Sequence, residues 1–525
     1  MSEKDSKITL EFLTKKINAN DKEFVRGLMN PGEHDSSKSW YENILRNEEK
    51  NGLLHVVRVC SAMSLVLLKH TTYDDVNEEE KERTNRIAIN ICKKGTEYGE
   101  EHARKVRPEG GAYREPDLSM IYLCYGLALS GMKRYYAALE YLQHSIDYGG
   151  LPEECENDEE KKQWYLNWYN STREYCRLLL EMSTYMPPDV RVGYVTLAKR
   201  GAKTIFGIDK EFDEFVEHFK LIDTDGKEIG DIDPVPQPYE SEDGEDEYRD
   251  WVHSHQLFLS QYSSLRFSKE FRILMHDDLY FEFGGELRCQ HLFYEIMTTF
   301  ARCRWQLYLF KKDVKIKMQL DRGPKAELSS GEKKFIERSY FMDYCSNGIN
   351  TDAPIEYQRL MNCNIRLYSL FDKMAMLINL YWQVKQLPYS EKNSKNKKIN
   401  FKKIARRIKT SMEKNGTKNL SDVLMLRVAE LSGEINPDYA EKDEKFYMIY
   451  PNAERMDVIR NSLIHGGVQL IDHVDKHNYE KGTELLPLSI KELTDRTWWM
   501  LKICKEMILS TVLAFEVGKI DAGVR

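Results

Sequence analysis

Apolar residues recur along most of this 525-residue chain at i, i+3 and i+4, while the apolar–polar alternation of half-buried strands is scarce. That periodicity confines the chain to an all-α architecture with few strands. At this length one core is too small an organising unit, and 41% hydrophobic residues supply enough apolar material for two or three domains. The ten cysteines are scattered singly, with no Cys-x-x-Cys and no Cys/His cluster at zinc-ligand spacing. Buried free thiols are therefore expected, with no metal and no cofactor. The chain opens on charge, Met1-Ser-Glu-Lys-Asp-Ser-Lys, and its longest apolar runs, such as Met63 to Leu68, are too short to span a bilayer. A cytoplasmic protein without a membrane partner is the expectation.

Residues 1–45 carry mixed charge, one short amphipathic segment from Ile8 to Leu13 and a turn at Pro31-Gly32. From 46 to 208 the chain reads as successive helices. Within them Gly131 to Ile146 resembles the second half of a tetratricopeptide repeat, with Ala138 and Ser145 small enough to let paired helices approach. Two readings stand for this region: a concave surface for a protein or peptide trigger, or a plain helical scaffold. Trp164, Trp168 and Tyr169 are assigned to its core. Residues 209–252 are acidic and turn-rich, with Asp231-Ile-Asp233-Pro followed by Glu240-Ser-Glu242-Asp243-Gly-Glu245-Asp246-Glu247. Like charge with Pro and Gly opposes a packed core, so this is the domain boundary, read either as a solvated linker or as a cover for a basic groove. The last helical domain takes residues 253–525. Its last helix is expected to begin at the capping box Ser489-Ile-Lys-Glu492 and to run through Trp498, Leu501, Cys504, Ile508, Val512 and Phe515 at core spacing.

Two segments of the last domain carry chemistry. Between Lys385 and Lys418 twelve Lys or Arg face only Glu391 and Glu413, about +10 in a chain whose total is −8. Such a segment attracts phosphate backbones, and Lys397, Lys398, Lys402, Lys403, Arg406 and Arg407 are its candidate RNA contacts; a lysine-rich solvated loop is the bland alternative. The other segment is Asp457 to Gly467, where Val458, Ile459, Leu463 and Ile464 fall at the spacing of a buried helical stripe and Gly466-Gly467 ends the helix at His465. Arg460 and His465, about 140° and about 7.5 Å apart on a regular helix, can flank one phosphate. A guanidinium offers a planar fork of donors, an imidazole exchanges protons near neutral pH, and Asn461 adds a neutral donor and acceptor. His253, His255, His276 and His291 share no helical face with paired carboxylates and are read as structural.

Arg-Asn-x-x-x-His on an apolar helix closed by Gly-Gly resembles the signature of the HEPN superfamily. Upstream, Phe371-Asp372-Lys373-x-Ala375, with Asn379 shortly after, is similar to the central helix of a HEPN subgroup found behind tetratricopeptide-like repeats; Thr299 to Arg304 is similar to that subgroup's first helix. The resemblance spans about residues 285–518. It implies a C-terminal HEPN helical bundle and a metal-independent RNA endonuclease with Arg460, Asn461 and His465 as its site, and Asp372 either positioning the histidine or arginine or serving as a structural helix-start or surface carboxylate. It further implies RNA as the partner, in single-stranded or loop regions, and a homodimer that pairs two motifs. The architecture resembles that of a toxin or anti-phage defence effector. The competing classes are a non-catalytic helical adaptor, a nucleotide-binding HEPN protein and the partner of a nucleotidyltransferase.

Overall fold

A computed structural model describes residues 52–73, 75–106, 115–149, 158–205, 208–217, 245–262, 277–322, 354–383, 401–415, 419–435, 453–465, 468–471 and 486–521. The segment 1–45, most of the acidic stretch, His276, Lys397, Lys398, the Gly466-Gly467 pair and the His465 side chain lie outside these residues.

The chain is all-α, as its periodicity predicts. Six helices, α1 (Leu53–His70), α2 (Glu78–Val106), α3 (Pro116–Gly131), α4 (Tyr135–Gly149), α5 (Asp158–Ser183) and α6 (Pro188–Thr204), pack as consecutive hairpins, each on the one before. Small residues make the approach possible. Ala138 and Ser145 are fully buried, and a Cβ on Gly126 would lie 2.6 Å from Leu142 Cγ. Buried hydroxyls tie three helices together: Ser119 Oγ donates to the Ser145 carbonyl at 2.9 Å, Ser145 Oγ to the Ser119 carbonyl at 2.6 Å, and Ser145 and Ser171 Oγ lie 2.6 Å apart. Trp168 and Tyr169 pack against this core. By length and composition α1 could cross a membrane, with mean hydropathy 1.4, yet 61% of it is buried inside the protein.

Among the described residues two helices overlap the stretch read as an acidic linker: α7 (Lys210–Glu217) and α8 (Glu245–Ser254). The apolar spacing of Tyr248, Trp251 and Val252 explains the second, which packs on the C-terminal body through Tyr308 and Trp498.

That body is a bundle built on α9 (Leu287–Arg322), α10 (Pro354–Gln383), α11 (Phe401–Asn415), α12 (Leu420–Glu430), α13 (Ala453–His465) and α14 (Ile490–Asp521). A 3-10 turn, Leu431–Glu434, follows α12, and two short parallel strands, β1 (Val468–Ile471) and β2 (Leu486–Ser489), separate α13 from α14. The first half of the capping box forms: Glu492 N donates to Ser489 Oγ at 2.9 Å. In the resemblance segment of α9, Arg304 is buried and holds Asp277 in a two-pronged pair at 2.8 and 2.7 Å, so it ties the bundle to the segment that precedes it.

The halves meet through ion pairs. Arg134 grips Glu506 with two hydrogen bonds of 2.6 Å and lies 3.6 Å from Glu434; Lys502 donates to Glu140 at 2.9 Å. Arg86 pairs with Glu430 and Arg427 with Glu82.

Candidate functional site

The helix α13 ends at His465, where the glycine pair placed its stop. Its buried side differs from the expected stripe: Met456 and Ile459 are fully buried and Leu463 packs against the core, whereas Val458 is 40% and Ile464 43% exposed. Positions 456, 459 and 463 are the i, i+3, i+7 set that faces α10, so Val458 and Ile464 fall outside it.

Polar groups hold α13 in register. At its start Arg455 grips Glu492 of α14 with Nε at 2.8 Å and Nη2 at 2.9 Å. That hydrogen bond holds the Glu492 carboxyl below its ordinary value, and Arg496 approaches the same carboxylate at 3.9 Å. The capping-box glutamate thus reaches α13 with its side chain.

One turn on, Asp457 organises the motif. Its Oδ1 lies 3.7 Å from Arg460 Nη1 and its Oδ2 accepts from Asn461 Nδ2 at 3.0 Å. The spacings 457, 460 and 461 are i, i+3 and i+4, so one carboxylate braces both neighbours on the same helix face. Arg460 remains 39% exposed, with its guanidinium carbon 5.5 Å from the centre of the Tyr368 ring on α10. Tyr368 is buried; its hydroxyl donates to the Ile435 carbonyl at 3.4 Å, and burial, then the Asp457 charge, push its pKa up. The ring is a fixed neutral bed for the guanidinium. Sequence reasoning named neither Asp457 nor Tyr368 for a role, although the i, i+3, i+4 carboxylate was there to be read.

Asp372 reaches the start of α11. It lies one turn beyond Tyr368 on α10, and its Oδ1 accepts from the backbone N–H of Phe401 at 3.1 Å, the first residue of α11. A carboxylate there offsets an unpaired helix-start donor and favours the dipole. The contact matches the structural helix-start reading of Asp372 and positions the basic segment.

That segment is helical from residue 401. Phe401, Ile404, Ala405 and Ile408 are buried, while Lys403, Arg406 and Arg407 are exposed and Lys402 half-buried. Four of the six candidate RNA contacts therefore sit on one helix, fastened to α10 by Asp372 and by the Phe371–Phe401 ring contact at 5.3 Å.

Of the histidines read as structural, His255 stacks edge-on to Trp498 at 4.8 Å and lies near the Trp251 carbonyl; burial pulls its pKa down to about 4. Among the described residues no three His, Cys, Asp or Glu side chains group as metal ligands, and the eight described cysteines are free and buried.

Residues 285–517, a little under half of the chain, match the family model described as LA2681-like HEPN. The C-terminal helical bundle is thus similar to HEPN domains, and the match supports a HEPN superfamily member. No curated protein and no solved structure matches the chain.

Proposed function

We propose that the C-terminal domain is an RNA endonuclease that works without a metal. The observation that carries this reading is the braced motif, in which Asp457 holds Arg460 and Asn461 on the exposed side of a helix that ends at His465. The RNA 2′-oxygen attacks the adjacent phosphorus and the bond to the 5′-oxygen breaks, leaving a 2′,3′-cyclic phosphate and a 5′-hydroxyl. DNA is inert because it lacks the nucleophile. His465 takes the proton from the 2′-hydroxyl, Arg460 holds the charge that builds on the phosphoryl oxygens, and Asn461 orients the scissile group. Single-stranded or loop regions reach the site along the cationic face of α11, where Lys402, Lys403, Arg406 and Arg407 meet phosphates; Lys397 and Lys398 extend that face in sequence.

The leaving 5′-oxygen needs a proton from the side opposite the attacking group, which one imidazole does not reach. The working unit is therefore a homodimer that faces two α13 helices across a two-fold axis. Exposed Val458 and Ile464 flank Asn461 and give that contact its apolar area. The hairpin stack is the regulating half of a toxin or defence effector, joined by ion pairs to the turn whose neighbour, Ile435, supports Tyr368.

Incubating the purified chain with total RNA in EDTA tests the reading. Wild type cleaves and leaves cyclic phosphate ends, and His465→Ala does not. Cleavage that EDTA stops, or that His465→Ala retains, removes the assignment in favour of an adaptor or nucleotide-binding role.

A further inference from the structure

Two adjoining cavities, of about 60 and about 30 Å³, lie where the hairpin stack meets α12 and α14, and both are lined by Arg134 and Glu434. Their cationic lining is Arg86, Lys93, Arg134, Arg427, Lys502 and Lys505, against four carboxylates. Each carboxylate already has a cation: Glu506 and Glu434 share Arg134, Glu140 takes Lys502 and Lys505, and Glu430 takes Arg86 and Arg427.

Lys93 is left over. Among the described residues no carboxylate lies within ion-pair distance of it, and its ammonium sits 4.3 Å from the centre of the Trp499 ring. Burial pushes its pKa down, while the more distant charges of Glu434 and Glu97 act the other way. Arg427 lines the smaller cavity, and its Nε, shielded from water, has no hydrogen-bond partner among the described residues. A half-buried cation without an ion-pair partner costs free energy that an oxyanion would recover. The larger cavity has room for about four waters at roughly 15 Å³ each, the scale of one tetrahedral oxyanion and far below that of a polymer.

We propose that this junction binds a phosphate group, either free or as the terminal group of a small phosphomonoester, with Lys93 as its principal counter-ion. The site is separate from the motif and does not rest on the RNA-cleavage reading. It has a route to the motif all the same, because lining residue Glu434 directly precedes Ile435, whose carbonyl accepts from Tyr368 beneath Arg460.

Calorimetry on the full chain with inorganic phosphate, and separately with AMP, tests the proposal, with sodium chloride at equal ionic strength as the blank. The expected result is saturable one-to-one binding of at least one of the two, weakened at least about tenfold in Lys93→Met, which keeps the apolar stem and loses the charge. Lys94→Met, outside the cavities and paired with Glu97 at 3.0 Å, binds as wild type. Preference for inorganic phosphate or for AMP identifies the source. Absence of binding to wild type by both, or equal binding by wild type and Lys93→Met, overturns the site; the wild-type titration decides alone if Lys93→Met does not fold.

Discussion

Asp457 determines how two polar groups are presented, because Arg460 and Asn461 lean on its two oxygens. Replacing it by Asn keeps shape and removes the charge that steers the guanidinium. A lost exposed i, i+3 ion pair of about 0.3–1 kcal/mol corresponds to about a 2–5-fold fall in the rate of RNA cleavage. The fall is expected in kcat with KM for RNA little changed, as steady-state kinetics on Asp457→Asn will show; a change confined to KM would assign Asp457 to binding instead. His255 gives a residue-scale prediction free of the catalytic reading. Its folded pKa of about 4 lies below the ordinary histidine value of 6.5, so between those pH values the unfolded chain binds the extra proton and stability rises with pH. Present in full above about pH 6.5, the contribution is lost as pH falls toward 4, at most about 3 kcal/mol. Urea titrations from pH 7 to pH 4 should show a flatter loss in His255→Gln than in wild type.

At the scale of elements, the basic helix α11 and the motif helix α13 are both held by α10, one through Asp372 and the other through the Tyr368 ring. The cationic face of α11 should therefore set RNA affinity and leave the chemical step alone. Replacing Lys402, Lys403, Arg406 and Arg407 by Ala removes up to four phosphate contacts, and the slope of log affinity against log salt should flatten by up to about 3. Single-turnover cleavage at saturating RNA should stay near wild type, since none of the four braces Arg460. An unchanged slope would leave the helix as a solubilising face. How much of this was legible follows from range in sequence. The end of α13 at His465 and the start of α14 at Ser489 are local signals, Gly-Gly and Ser-x-x-Glu, and both were readable. The helical character of 401–415 was also written locally, at Phe401, Ile404, Ala405 and Ile408, but the density of lysine made the segment read as a loop. Asp372 was readable as a structural helix-start carboxylate, but which helix it caps, one that starts 29 residues later, depends on tertiary packing that no local pattern announces.

For the whole molecule, the composite-site reading makes assembly the decisive variable. Mixing Arg460→Ala chains with His465→Ala chains gives dimers that keep one copy of each group, and part of the activity absent from either variant alone should return. Wild-type specific activity should fall on dilution below the dimer dissociation constant, and a fully active monomer in light scattering would remove the dimer from the mechanism. The ion pairs between the halves join residues 300 to 372 apart in the chain. Read against the ribosome, that separation becomes a delay. At about 5–20 residues per second, the partners of Arg86, Arg134 and Glu140 leave the exit tunnel roughly 20–70 s after them. Through that interval the hairpin stack carries its junction charges unmatched, while the turn beneath Tyr368 and the capping residue of α14 are still being made. A nascent chain therefore completes the bed of Arg460 only well after the hairpin stack has been made.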